Sequence, residues 1–150
     1  PRDQLVSWIH WIKRPESKFF GGVIASLEFK EAIAAWLREY GVSRYYAYLG
    51  WTKHPLFYST SFEKLVGPSG GGNEKDQLQE IMNIARHLEH PISLNEAQVV
   101  VQNMYGGSAT FREGKIGSWK KVFTQEHKDL FKKVGGQLLI ELGYERDLNW

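Results

Sequence analysis

Apolar residues near the start of the chain recur at helical spacing. Leu5, Trp8, Ile9 and Ile12 fall on one face of a helix. Pro15 follows soon after and cannot continue a helix, so the pattern predicts a first helix that ends just before it. Ser7 is then expected in the first turn, where free backbone N–H groups and the helix dipole favour an anion.

Five later segments show the same periodicity and carry recognisable start or stop residues. The first of these helices follows Gly22 and ends at Gly41, and the second runs from Ser43 to a break at His54 and Pro55. The third runs from near Asn73 to His90, and the fourth starts at Ser93. The fifth follows Thr124 and ends near Gly143. The helix at Ser93 also has a glutamate three residues on, Glu96, which predicts a capping box.

Residues 56–59 form the one apolar run that reads as a β-strand, and residues 67–72 read as a flexible glycine-rich connector. A single strand cannot form a sheet alone. We therefore expect it to pair with strands outside these 150 residues. The chain also starts without methionine inside an amphipathic pattern, which indicates part of a longer protein.

Composition narrows the possible functions. The chain has 19 basic and 17 acidic residues and a net charge of +2, too little for a general nucleic-acid binder, so we expect no nucleic-acid partner. It has no apolar run near the ~20 residues that span a bilayer, so we expect no membrane partner. It lacks cysteine, which removes disulfides and thiolate chemistry and is compatible with the cytoplasm, where we expect it.

A phosphate-binding chemistry is concentrated in residues 110–120, here called the phosphate loop. Glycine lets backbone N–H groups approach an anion, and Gly114 lies beside Arg112, whose planar guanidinium matches phosphate oxygens. The other reading of this segment is a solvated basic turn. The histidine pair His87 and His90 could seat a metal, but no third ligand is evident, so a surface pair is favoured and no metal is expected.

Three segments resemble sulfotransferases that use 3′-phosphoadenosine 5′-phosphosulfate (PAPS). Residues 112–120 are similar to the family's Arg-Lys-Gly-x-x-Gly-Asp-Trp-Lys run, and residues 1–7 to the end of its Arg-Asp-Pro-Arg-Asp-x-x-x-Ser segment. Residues 57–65 resemble its apolar strand followed by Tyr-Glu-Asp-Leu. The resemblance covers nearly the whole chain, as the C-terminal portion of one sulfotransferase domain. It implies an α/β fold of three layers, mostly helical in this segment with few strands.

The resemblance also implies roles for individual residues. Ser7, Arg112 and the N–H of Gly114 would bind the 3′-phosphate of PAPS, and Phe62 would lie near the adenine. Glu113 stands where the family usually has a basic residue, so either Lys115 supplies the missing charge or the site is degenerate. No catalytic residue is assigned, because the family's lysine and histidine would lie upstream.

The implied function is transfer of a sulfuryl group from PAPS to a hydroxyl or amine of a small-molecule acceptor, with this segment alone inactive. A homodimer through Lys120, Thr124 and Asp129 is implied by a partial match to the family's dimer motif. The alternative is a non-enzymatic helical module that binds another protein through its aromatic helices and retains a degenerate nucleotide site.

Overall fold

The computed structural model describes residues 1–106 and 112–150, and every regular element in that part of the chain is helical. The α-helices are α1 Arg2–Ile12, α2 Lys18–Gly21, α3 Phe29–Glu39, α4 Ser43–Thr52, α5 Phe62–Leu65, α6 Glu74–His87, α7 Leu94–Gln102 and α8 Gln125–Glu141. Short 3₁₀ helices cover Gly22–Ser26, Pro68–Gly70 and Ser118–Lys121. The predicted longer helices and the predicted Ser93 capping box are thereby confirmed.

The predicted α/β fold is wrong, because none of the described residues forms a β-strand. The apolar run at residues 56–59 leaves Leu56 76% and Phe57 48% exposed, and the Phe57 N–H bonds to the carbonyl of His54 in a turn. A β-strand needs a neighbouring strand for its backbone groups, and no described segment supplies one. Apolar composition alone therefore misled the prediction.

The chain folds into two compact units, and the first is discontinuous in sequence: it combines Pro1–Gly50 with Gly117–Trp150. Its core is a single apolar cluster to which α1, α3 and α8 contribute. The fully enclosed side chains include Ile9, Ile33 and Phe131. The helical periodicity of the sequence therefore translates directly into this core.

The second unit, Trp51–Ile116, has a smaller and more polar interior. Its buried apolar side chains are Val66, Ile81 and Ala97, and beside them α6 buries Gln77 and Glu80. Asn73 caps α6, with its Oδ1 accepting the N–H of Asp76 at 3.1 Å. The interior of this unit is therefore held by polar contacts as well as by apolar packing.

Residues 67–72 are not the flexible connector that their glycines predict. The N–H of Gly72 donates to the carbonyl of Gly67 at 2.7 Å, and the N–H of Ile116 donates to the carbonyl of Gly70 at 2.9 Å. A Cβ on Gly70 would meet Val66 at 2.0 Å, so the absence of a side chain permits close packing. Glycine here serves packing and not mobility.

Candidate functional site

The carboxylate of Asp3 joins two segments of the first unit that resemble nucleotide-binding sequences. Its Oδ2 accepts the N–H of Gly117 at 2.8 Å, and its Oδ1 accepts the N–H of Trp119 at 2.7 Å. Gly117 has φ 76°, a left-handed conformation that suits glycine and turns these amides toward one acceptor. Because Asp3 occupies both amides, they are not available to a phosphate.

Arg2 holds the same region from the other side. Its Nη1 lies 2.6 Å from Oε1 of Glu145, and its guanidinium carbon lies 4.1 Å from the ring centre of Trp119 and 4.5 Å from that of Trp150. A guanidinium against two perpendicular indole rings combines cation–π contacts with burial of its stem. Arg2 is therefore committed to structure.

Ser7 lies in the second turn of α1 and is exposed. The free N–H groups of a helix belong to its first turn, so the hydroxyl is the group that Ser7 can offer to an anion there. Ser7 belongs to the first unit and Arg112 to the second. Its role in phosphate binding stays a prediction.

Arg112 forms an ion pair with its neighbour. Its Nη1 lies 3.3 Å from Oε1 of Glu113, and the side chains are 20% and 43% exposed. A carboxylate this close neutralises part of the cation that a phosphate would require. An incoming anion would have to compete with Glu113 for the guanidinium. Glu113 should therefore weaken phosphate binding at Arg112.

The second unit contains an apolar cavity of about 280 Å³. Phe62 and Gly114, which the family resemblance assigns to adenine and to the 3′-phosphate, both line it. Leu65, Val66, Gln77, Met104, Tyr105 and Gly106 complete the lining. A small apolar cavity with few polar groups is suited to a flat ring. The fold thus brings these two predicted site residues together.

Tyr105, which lines the cavity, is hydrogen-bonded to the phosphate loop. The hydroxyl of Tyr105 donates to the carbonyl of Glu113 at 3.0 Å. Gly114 has φ 58°, and its carbonyl oxygen would lie 2.3 Å from a Cβ on Gly70. The start of the phosphate loop, Thr110 and Phe111, and Gly107 before it lie outside the described residues.

His127 has a structural role at the start of α8. His127 is buried, its Nδ1 accepts the N–H of Thr124 at 3.1 Å, and its Nε2 lies 2.9 Å from the carbonyl of Lys30. The first contact requires a neutral ring whose proton is on Nε2. Burial lowers the pKa of His127, against the opposing hydrogen bond to Lys30 and the charge of Glu126.

The residues of the implied dimer contact already have partners within the chain. Thr124 caps α8, with its hydroxyl oxygen accepting the N–H of His127 at 3.4 Å, and Asp129 accepts a hydrogen bond from Gln125 at 2.9 Å. These local bonds leave the homodimer a prediction. Among the described residues, no group of three or more histidine or acidic side chains could hold a metal ion.

Several residues that shape these regions have no recognisable signal in the sequence. Asp3 and Arg2 look like ordinary surface charges on a helix, and His127 is not a usual capping-box residue. The burial of Glu80 could not be predicted from the sequence, because polar residues are rarely buried. Their roles depend on contacts from other parts of the chain.

None of the described helices is long and apolar enough to cross a bilayer. Comparison with protein-family models, curated proteins and solved structures finds no match to this chain.

Proposed function

We propose that the chain is part of an enzyme that transfers a sulfuryl group from PAPS to a hydroxyl or amine of a small-molecule acceptor. In this reaction the acceptor atom bonds to sulfur and loses a proton. The bond between sulfur and the 5′-phosphate oxygen breaks, and 3′,5′-phosphoadenosine leaves. This chain contributes nucleotide binding and no assigned catalytic group.

One observation carries the proposal: Phe62 and Gly114 line the same cavity of the second unit. They come from separate segments that independently resemble the family's base-binding and phosphate-binding sequences. Arg112 belongs to the same phosphate loop as Gly114, and its guanidinium matches the oxygens of a phosphate group.

Calorimetric titration with 3′,5′-phosphoadenosine tests the proposal. We expect saturable binding that weakens at least tenfold in Arg112→Ala, because a charge-assisted bidentate contact contributes roughly 1.5 to 3 kcal/mol. Glu113→Gln should tighten binding, since it removes the carboxylate 3.3 Å from the guanidinium. The control is Arg86→Ala, which removes an exposed arginine of the same unit that bonds its helix neighbour Asn83.

Absence of saturable binding at millimolar nucleotide, or equal affinities of the Arg112 and Arg86 variants, would contradict the proposal. The second candidate is the helical interaction module. It is favoured by exposed apolar side chains on α4 and α7, where Tyr48, Trp51 and Val99 are 59%, 57% and 61% exposed. Loss of nucleotide binding with retention of the fold would favour that module.

A further inference from the structure

Helix α6 buries two polar side chains on one face, Gln77 and Glu80, with 3% and 4% exposure. Residues three apart on a helix lie side by side. Glutamate is rarely buried unless its charge has partners. Both side chains therefore require a specific reason for their position, and both point to residues 58–67.

Gln77 binds the end of that segment. Its Nε2 donates to the carbonyl of Leu65 at 2.5 Å. Gly67 has φ 62°, and a Cβ there would lie 2.1 Å from Oε1 of Gln77, so glycine is required for this approach. The amide of Gln77 thus fixes the chain where it leaves α5.

Glu80 pairs with a side chain of α5 in the same segment. Its Oε2 lies 3.6 Å from Nζ of Lys64, while its Oε1 is buried without a well-aligned hydrogen-bond donor among the described residues. Burial acts to raise the pKa of Glu80, but hydrogen bonding from Thr60 and Tyr58 and the charge of Lys64 outweigh it and leave that pKa lowered. The carboxylate is therefore stabilised in its charged form by side chains of residues 58–64.

Phe62 begins α5, two and three residues before these attachments at Lys64 and Leu65. Its own side chain is 46% exposed, and none of the four residues of α5, all of them described, is buried. Packing therefore does little to fix the ring. Its place in the cavity wall depends on a helix that Glu80 and Gln77 hold at Lys64 and Leu65.

We propose that Glu80 is a positioning residue that sets the Phe62 wall of the cavity by holding residues 58–64 against α6. The inference rests on the proposed function for its ligand, and on the described contacts for its geometry. Glu80 acts through its ion pair with Lys64 of α5, and it is not among the residues that line the cavity. Its charge and shape should therefore control how well a flat ring is held.

Amide hydrogen exchange tests the positioning role directly. The N–H of Val66 bonds to the carbonyl of Phe62 at 2.9 Å, so its exchange rate reports the order of α5. We expect this rate to rise about tenfold in Glu80→Gln and further in Glu80→Ala, with the amides of α6 unchanged. The matched control is Glu74→Ala, which removes an exposed glutamate from the same helix.

Nucleotide affinity supplies the second readout. Glu80→Gln should weaken binding of 3′,5′-phosphoadenosine about tenfold and leave pyrophosphate, which has no base, unchanged. Unchanged exchange at Val66 in both Glu80 variants would overturn the inference, as would equal weakening of the two ligands or faster exchange throughout α6. If the unaltered chain binds no nucleotide, the proposed function fails and the exchange rates alone decide the role of Glu80.

Discussion

The two units differ in what fills their interiors. The first unit encloses a continuous apolar cluster with side chains such as Ile9, Leu37 and Phe131 at 0% exposure. Among its described residues, the second unit buries few apolar side chains, and its buried Gln77 and Glu80 contact Leu65 and Lys64. Apolar packing is non-directional, whereas hydrogen bonds fix positions.

This difference separates stability from site geometry. An apolar cluster contributes free energy through area and tolerates changes of similar volume. A buried polar contact contributes less net free energy, but losing one partner leaves the other unsatisfied. We therefore expect core substitutions in the first unit to lower stability most, and polar substitutions in the second unit to disturb local structure more than stability.

The largest effect should come from Phe131→Ala in the first unit. Its side chain is fully enclosed, and truncating such a phenylalanine costs about 3 to 5 kcal/mol of unfolding free energy. Urea unfolding followed by tryptophan fluorescence measures this, since most tryptophans lie in that unit. The control Val99→Ala removes a 61% exposed side chain and should change little. Similar losses in both variants would contradict the contrast.

A smaller loss is expected from Asp3→Ala. Its carboxylate accepts two backbone N–H groups, and hydrogen bonds to charged groups make this loss about 2 to 3 kcal/mol. Asp3→Asn should recover part of that loss, because an amide oxygen still accepts. The same urea titration measures both variants. Equal stability of the alanine variant and the unaltered chain would show that the bridge contributes nothing.

In the second unit, Gln77→Ala should lower the unfolding free energy by about 1 to 2 kcal/mol, because the carbonyl of Leu65 loses its donor. The local effect should exceed the global one. Hydrogen exchange should accelerate at Leu65 and Val66 before α6 responds. Gln79→Ala is the matched control, since Gln79 is exposed and bonds Asn83 on its own helix. Equal acceleration of hydrogen exchange throughout α6 would contradict a local effect of the Gln77 hydrogen bond.

The smallest expected effect is a pH dependence from His127. Because burial lowers its pKa in the folded state, the unfolded chain binds the proton first. Its contribution to stability is present above the usual pKa of 6.5 and is lost as the pH falls through the lower folded value. Thermal unfolding between pH 7.5 and 5 should show a decline that His127→Gln reduces. An equal decline in that variant would assign the dependence elsewhere.

Helices could be predicted from sequence because their signals are local. Asn73 and Ser93 cap the helices that the apolar periodicity indicates, and both caps are present. The wrong strand at residues 56–59 shows the limit of that approach, since a strand depends on neighbours that local sequence does not reveal. For the candidate site, residue type suggested chemistry at Arg112, whose role stays a prediction. Glu80 and Asp3 act through distant partners and left no pattern.

The discontinuity of the first unit has a consequence for biosynthesis. Helix α8 supplies Phe131, Leu138 and Leu139 to a cluster begun by α1 and α3, and residues 51–116 are translated in between. On the ribosome the side chains of α8 therefore reach this cluster only after the whole second unit has been translated. The continuous second unit can form its own contacts before the first unit is complete.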